Sequence, residues 1–238
     1  KQYKKYDKIL AICDTMRNEF VDILGMDKTK VELVYNPINL KIIREKAENV
    51  NPDYEKYLKE NYFLQVSRLT QQKQPEHLVD IYYKLKQRGI KEKLYFIGNG
   101  EKVELIKRKI KEYNLENDVI LLGQIENPYP FFKNAKLFVH TAKYEGLPTV
   151  LLESLAFGMP VVAYDCPTGP KDILGGNSEY GELIPLNDKD MFVEKVYELI
   201  NNNEKYENYK KISLIRADDF SMESNKAKLK ELIENTNF

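Results

Sequence analysis

Eight short apolar runs, separated by stretches long enough to form helices, limit what this chain can become more than any other feature. They are KILAIC (8–13), VELVYN (31–36), YFLQVS (62–67), LYFIG (94–98), VILLG (119–123), LFVHT (137–141), VVAYD (161–165) and a short ELIP (182–185). Runs of this length, rich in Val, Ile, Leu and aromatic residues, are what parallel strands buried on both faces look like. Alternation with mixed polar and apolar stretches predicts an α/β fold, a parallel sheet with helices on both faces. The punctuation agrees. Asp14 is placed to cap a helix over 15–24 that Gly25 ends, and Pro75 opens a helix that stops at Gly89. A third helix, 148–157, has Pro148 in its first turn and Gly158-Met159-Pro160 as its stop.

These runs also divide the chain. Residues 1–40 hold strand, helix, strand and a turn-like NPIN exit, and look detached from the rest of the chain. The Tyr/Lys/Glu-rich stretch 41–60 reads as a linker to a complete domain over 61–205. From Asp188 onward only helices are expected, with C-terminal helices over 206–238 ending in SMESNKAKLKELIEN, a capped amphipathic helix. The chain starts at Lys1 without Met, as a piece of a longer protein would.

Charge narrows the partners. Lys plus Arg and Asp plus Glu both number 37, so the formal net charge is zero and there is no electrostatic case for a nucleic-acid partner. Seventeen tyrosines could stack on bases, but they sit beside Lys and Glu on helices, where packing explains them. No apolar run approaches the roughly 20 residues that span a bilayer, and no signal peptide is visible. Cys13 and Cys166 make no disulfide framework. Two reduced thiols point to a cytoplasmic protein, with peripheral attachment of the full-length protein at the inner membrane face left open; the basic KQYKK start is a weak membrane signal and reads better as a solvated terminus.

One segment carries chemistry: KYEGLPTVLLESLAFGMPVVA, residues 143–163. Glu153 sits in a helix otherwise built of Val, Leu, Ala and Phe, with only Ser154 as polar company. A carboxylate there is costly unless a cation or hydrogen-bond donors meet it. A structural salt bridge is the bland reading for Glu153 alone; its surroundings favour a ligand. The helix N-terminus, over Gly146, Leu147, Pro148, Thr149 and Val150, offers free N–H groups to a phosphate. Glu145 precedes it, eight residues before Glu153. Spacing alone proves little, because Glu104/Glu112 and Glu223/Glu231 share it on solvated helices.

Ligands of open parallel sheets bind beyond the carboxyl ends of the strands. Ser67-Arg68, Gly98-Asn99-Gly100, Gly123-Gln124, Lys143 to Gly146 and Pro167-Thr168-Gly169 all come directly after strands, which gathers glycines, cations and small polar groups on one edge. A diphosphate there would meet Arg68 as a planar fork and Lys73 as a point charge. Other signals are weaker. DKD (188–190) begins a helix and favours its dipole over a metal. The isolated pairs His77/His140 and Cys13/Cys166 make no metal site. His140 lies near the site, where a hydrogen-bonded structural role is the plainer reading.

These segments together resemble the retaining glycosyltransferases of family 4, with the GT-B fold and its E-x7-E signature. VSRLTQQKQ is similar to the family's diphosphate segment, FIGNG to its Gly-rich turn, VILLGQI to the strand against the nucleotide base, and YDCPTGPKDIL to the stretch after the signature helix. YDKILAICD and VELVYNPIN look like the last strands of the family's N-terminal domain, so 1–40 would be a β-α-β remnant of an acceptor domain. The resemblance implies a Rossmann-like nucleotide-sugar-binding domain. In it Arg68 and Lys73 hold the diphosphate and assist its departure, Glu153 binds the ribose, and Glu145 acts on the transferred sugar. Gly98, Asn99, Gly123, Gln124 and residues 146–150 line the donor. It implies retention of configuration without a covalent enzyme intermediate, no metal and no other cofactor. The donor would be a nucleotide sugar, with UDP-linked hexoses or N-acetylhexosamines favoured by CPTGPKDIL, and the acceptor a glycan or lipid-linked glycan held by the missing N-terminal domain. On that reading this chain binds donor but transfers no sugar alone, and residues 1–40 either dock on the C-terminal helices or stay mobile. The rival readings are a sugar-nucleotide 2-epimerase or phosphorylase of the same architecture, and a non-catalytic nucleotide-sugar-binding module.

Overall fold

The computed structural model describes residues 3–234, and all eight expected strands are present in them. Two form a small sheet of their own. β1 (Ile9–Ala11) and β2 (Val31–Leu33) run parallel, with Ile9 opposite Val31. The helix between them departs from the sequence reading. Cys13, not Asp14, is the N-cap; α1 covers only Asp14–Asn18 and gives way to a π-helical turn over Glu19–Ile23. The reason is tertiary: the Asp14 N–H donates to the Asp172 carboxylate at 2.5 Å, so Asp14 belongs to the helix and its first donor is satisfied from outside.

The stretch read as a linker is helical. α2 (Leu40–Ala47) is capped by Asn39, whose side chain accepts from Ile42 N at 3.0 Å, and it buries Leu40, Ile43 and Ala47. After α3 (Glu55–Leu58) the main unit begins: β3 (Tyr62–Val66), α4 (Pro75–Gln87), β4 (Lys93–Ile97), α5 (Val103–Glu112), β5 (Val119–Leu121), α6 (Tyr129–Asn134), β6 (Leu137–His140), α7 (Thr149–Ala156), β7 (Val161–Asp165), α8 (Pro170–Leu174) and β8 (Glu182–Pro185). Three helices complete it: α9 (Lys189–Asn201), α10 (Asn203–Asp218) and α11 (Met222–Glu234). The expected boundary at 205/206 falls inside α10, which is continuous and packs on both α7 and α9. The last residues of the expected C-terminal segment, 235–238, lie outside the described ones.

All strands of the main sheet are parallel, in the order β5-β4-β3-β6-β7-β8. Successive side chains of a strand face opposite sides, so strands covered on both faces are apolar at most positions; Gln65 of β3 and His140 of β6 are buried polar exceptions. Phe63 of β3 packs with Leu78, Val79 and Tyr82 of α4 and with Phe192 of α9. Its neighbours Tyr62 and Leu64 turn to the other face, among Phe131 of α6 and Leu151 and Leu155 of α7. Among the described residues no helix is long and apolar enough to cross a membrane.

The N-terminal sheet docks rather than hanging free. Ile38 donates its N–H to Phe220 O at 2.9 Å and accepts from Met222 N at 3.0 Å, which ties it to the turn between α10 and α11. Ile38 and Cys13 are buried in the same core as α7.

The DKD aspartates serve the fold. Asp188 caps α9 by accepting from Met191 N at 2.9 Å, and Asp190 pairs with Lys84 of α4. Asp188→Ala is therefore expected to lower the unfolding free energy by about 1 kcal/mol, read from urea denaturation. An unchanged midpoint would show that the cap contributes nothing.

Candidate functional site

The strand order reverses between β3 and β6, and a crevice opens there beyond their carboxyl ends. Two loops meet across it, residues 67–74 after β3 and 141–148 after β6, and backbone geometry stitches them together. Lys143 N donates to Gln72 O at 2.8 Å, and the Gln72 side-chain amide donates to Tyr144 O at 2.8 Å. The Thr141 hydroxyl bonds the carbonyls of Lys73 and Gln74 at 3.1 and 3.0 Å. Gln74 takes a left-handed conformation (φ 45°) that turns the first loop into α4.

This stitching delivers Lys73 to Glu145. The ammonium lies 2.5 Å from Glu145 Oε1, with the two side chains 13% and 7% exposed. His140 reaches the same oxygen with Nε2 at 2.7 Å. Burial alone would raise the Glu145 carboxyl; the hydrogen bonds and charges of His140 and Lys73 outweigh it and hold the group below the usual carboxylate range. The third tie comes from the loop after β7, where the Thr168 hydroxyl donates to Glu145 O. Gly169 (φ 90°) permits this approach: a Cβ there would stand 2.3 Å from Gly146 O.

Arg68, Lys73, Glu145, Leu147, Pro148, Thr149 and Val150 line one cleft together with Val66 and Ser67. Pro148 is the N-cap of α7 rather than its first residue and brings no side-chain acceptor, so α7 opens on the cleft with its leading N–H groups uncapped. The cleft lining thus combines a guanidinium, an ammonium, helix N–H groups and a buried carboxylate.

Glu153 stands apart. Its Oε1 accepts from the Tyr129 hydroxyl at 3.2 Å, a bond from α6 to α7. Among the described residues no cation is paired with it. Burial pushes its carboxyl up to about 7, against the downward pull of the Tyr129 hydrogen bond. Burial and the Glu153 charge in turn push the Tyr129 phenol up to about 12. The fold therefore provides no salt bridge for this carboxylate.

Not every expected ligand contact shares the cleft. Gly98 and Asn99 lie behind the Arg68 loop: Leu69 N donates to Asn99 O at 2.9 Å, and a Cβ on Gly98 (φ 133°) would lie 1.9 Å from Ser67 O. Gly98 is glycine because two loops touch there. Gly123 accepts from Gly98 N at 2.8 Å, and Gln124 lines a separate cavity with Asn51, Tyr54 and Asn127. The five strand ends do share one edge of the all-parallel sheet; the loops after β3, β6 and β7 meet at Glu145, while β4 and β5 stand on the far side of β3 from β6. Gly146 borders the site without packing tightly; a Cβ would meet only Ile12 Cδ1, at 3.6 Å.

Two participants were not assigned from sequence. Tyr129 lies in ENPYPFF, where nothing in the spacing aims it at Glu153. His140 had a visible signal, a polar residue ending a buried strand five positions before Glu145.

Comparison with known proteins decides the family. The profile described as "Glycosyl transferases group 1" matches residues 46–214. The chain belongs to the group 1 glycosyl transferases. An undecaprenol-linked N-acetylgalactosaminyltransferase of Campylobacter jejuni is 30% identical over 219 residues, covering 92% of this chain and 57% of that protein. An uncharacterised glycosyltransferase of Methanocaldococcus jannaschii is 29% identical over 177 residues, covering 73% of this chain and 44% of that one. This group 1 glycosyl transferase spans about half the length of the curated relatives it matches. Among solved structures, Anabaena HepE in complex with UDP superposes with a TM-score of 0.84 at 16% identity, covering 98% of this chain and 65% of that one. Staphylococcus aureus TarM, in complex with Fondaparinux, alpha-GlcNAc-glycerol and UDP, gives 0.80 at 21%, covering 98% of this chain and 44% of that one. These likenesses establish the Rossmann-like GT-B architecture.

Proposed function

We propose that the cleft between β3 and α7 binds the nucleotide-sugar donor of a retaining, metal-independent transferase of the E-x7-E type. The observation that carries this reading is the convergence of Arg68, Lys73 and the α7 N-terminus on one wall, with Glu145 beside them. Two cations and uncapped N–H groups suit a diphosphate. They supply the stabilisation of the leaving group that a divalent ion provides elsewhere. Glu153, held by Tyr129 alone among the described residues, has lone pairs for the two ribose hydroxyls. Glu145 meets hydroxyls of the transferred sugar. Glu145 is the carboxylate in the cleft lining among the described residues, and kinship with the E-x7-E transferases supports retention without a covalent intermediate on the enzyme. In transfer, the bond between the anomeric carbon and the diphosphate oxygen breaks, the acceptor oxygen bonds the same face of the sugar, and the acceptor hydroxyl's proton passes to the departing diphosphate.

A UDP-linked hexose or N-acetylhexosamine is the donor on this reading, and a glycan or lipid-linked glycan the acceptor. The support is kinship: the Campylobacter relative is named as a transferase acting on a diphospho-undecaprenol glycan, and HepE and TarM were solved with UDP. The acceptor would be held by parts of the relatives beyond the region they share with this chain, so the 238 residues are expected to bind donor without appreciable transfer.

Calorimetric titration with UDP, GDP and ADP in excess EDTA tests the proposal. Saturable binding of UDP, tighter than of GDP or ADP and unchanged by EDTA, is expected. A requirement for magnesium or manganese would contradict the cation-only diphosphate site.

A further inference from the structure

His140 is the last residue of β6 and only 1% exposed, coming after Leu137, Phe138 and Val139, all buried. Its ring lies over Phe138 with a 6.1 Å centroid separation and a 25° interplanar angle. An apolar residue would fill this position at lower desolvation cost. An imidazole kept for structure would be expected to satisfy both nitrogens. Here Nδ1 is buried without a partner, while Nε2 lies 2.7 Å from Glu145 Oε1. The arrangement sacrifices one ring nitrogen to bring the other to the carboxylate.

Lys73 Nζ and His140 Nε2, from different elements, end on the same oxygen of Glu145. Two donors on Oε1 stop rotation of the carboxylate and leave Oε2 for the cleft that Glu145 lines. The two donors are not equivalent. Lys73 is a point charge on a flexible stem that also lines the cleft, so a bound diphosphate competes with Glu145 for it. His140, fixed in the core, has Glu145 as its side-chain hydrogen-bond partner among the described residues.

We propose that His140 is the positioning residue that keeps Glu145 directed at the donor sugar once the diphosphate engages Lys73. This inference rests on the donor-site reading above. It predicts a residue that matters to the sugar and not to the nucleotide.

The test is calorimetry with UDP, UDP-glucose, UDP-galactose, UDP-N-acetylglucosamine and UDP-N-acetylgalactosamine. The sugar that tightens binding to the wild-type chain relative to UDP defines the increment. In His140→Leu, UDP affinity should stay within about twofold of wild type while the increment shrinks about tenfold. His140→Gln, whose amide nitrogen can take the place of Nε2, should restore most of it. If the Leu variant does not fold, His140→Asn replaces it, since its shorter amide keeps the position polar but falls short of Oε1. A full increment in the Leu or Asn variant, or an equal loss in His140→Gln with an unchanged thermal midpoint, overturns the role of His140. A wild-type chain that binds no UDP, or that no sugar helps to bind, overturns the donor-site reading instead.

Discussion

Replacing Lys73 with Ala is expected to weaken UDP binding at least tenfold. Lys73 sits on the cleft wall with its ammonium 2.5 Å from Glu145. A charge-assisted contact to a diphosphate oxygen contributes about 1.5–3 kcal/mol, and each 1.4 kcal/mol is a factor of about ten. The same substitution acts on the free protein. Glu145 would keep its buried charge with His140 as its only remaining side-chain donor, so its carboxyl should move up from its depressed position. Linkage gives the sign. A carboxyl held below its ordinary 4.5 contributes stability that is present above 4.5 and lost as pH falls through the lower folded value. Lys73→Ala shrinks that contribution, so the acid-unfolding midpoint should rise. UDP affinity within about threefold of wild type would remove Lys73 from the diphosphate site.

Glu153 works in the opposite direction. Its carboxyl stands at about 7 in the fold against 4.5 ordinarily, because burial penalises the charge and only Tyr129 opposes it. Below pH 4.5 both folded and unfolded chains hold the proton, and Glu153 adds nothing. Between 4.5 and 7 the unfolded chain releases it first, so stability falls as pH rises. Above 7 the cost is complete, about 3 kcal/mol. Glu153→Gln should therefore raise the stability of the free protein at about pH 8.5 by up to about 3 kcal/mol and change it little at about pH 4. Thermal midpoints at the two pH values read this directly. A ligand whose hydroxyls donate to the ionised carboxylate must pull in the other direction. UDP-glucose suits the test because its diphosphate does not titrate in this range. Its affinity should rise about tenfold between about pH 5.5 and about pH 8.5 and stay flat in Glu153→Gln. A carboxylate that destabilises the free fold yet is needed for the ligand has the signature of a binding residue. A wild-type profile as flat as that of the variant would assign Glu153 to the core.

How much of this was visible in the sequence depends on the range of the interactions. Strands such as Tyr62–Val66 and Val161–Asp165 were legible because burial on both faces writes itself as a short, largely apolar run. The α7 stop was legible because Gly158 (φ 65°) and Pro160 act locally. The helix after β1 was not, since Asp172, 158 residues away, takes the Asp14 N–H. Glu145 and Glu153 stood out as charges in apolar company. That they keep different partners, Lys73 with His140 for one and Tyr129 for the other, is decided by which strands neighbour one another. Spacing cannot encode that. Gly98 was not legible for a similar reason: the close approach of the Ser67 carbonyl, where a Cβ would stand 1.9 Å away, comes from a loop distant in sequence.

The division of labour between diphosphate and ribose is tested most directly by titrating UDP and inorganic pyrophosphate, side by side, into the wild-type chain and Glu153→Ala. Pyrophosphate carries the phosphates and no ribose. If Arg68, Lys73 and the α7 N-terminus hold the diphosphate while Glu153 holds the ribose, the variant should lose about tenfold in UDP affinity and nothing in pyrophosphate affinity. Equal losses for both ligands, or no loss for either, would contradict that assignment.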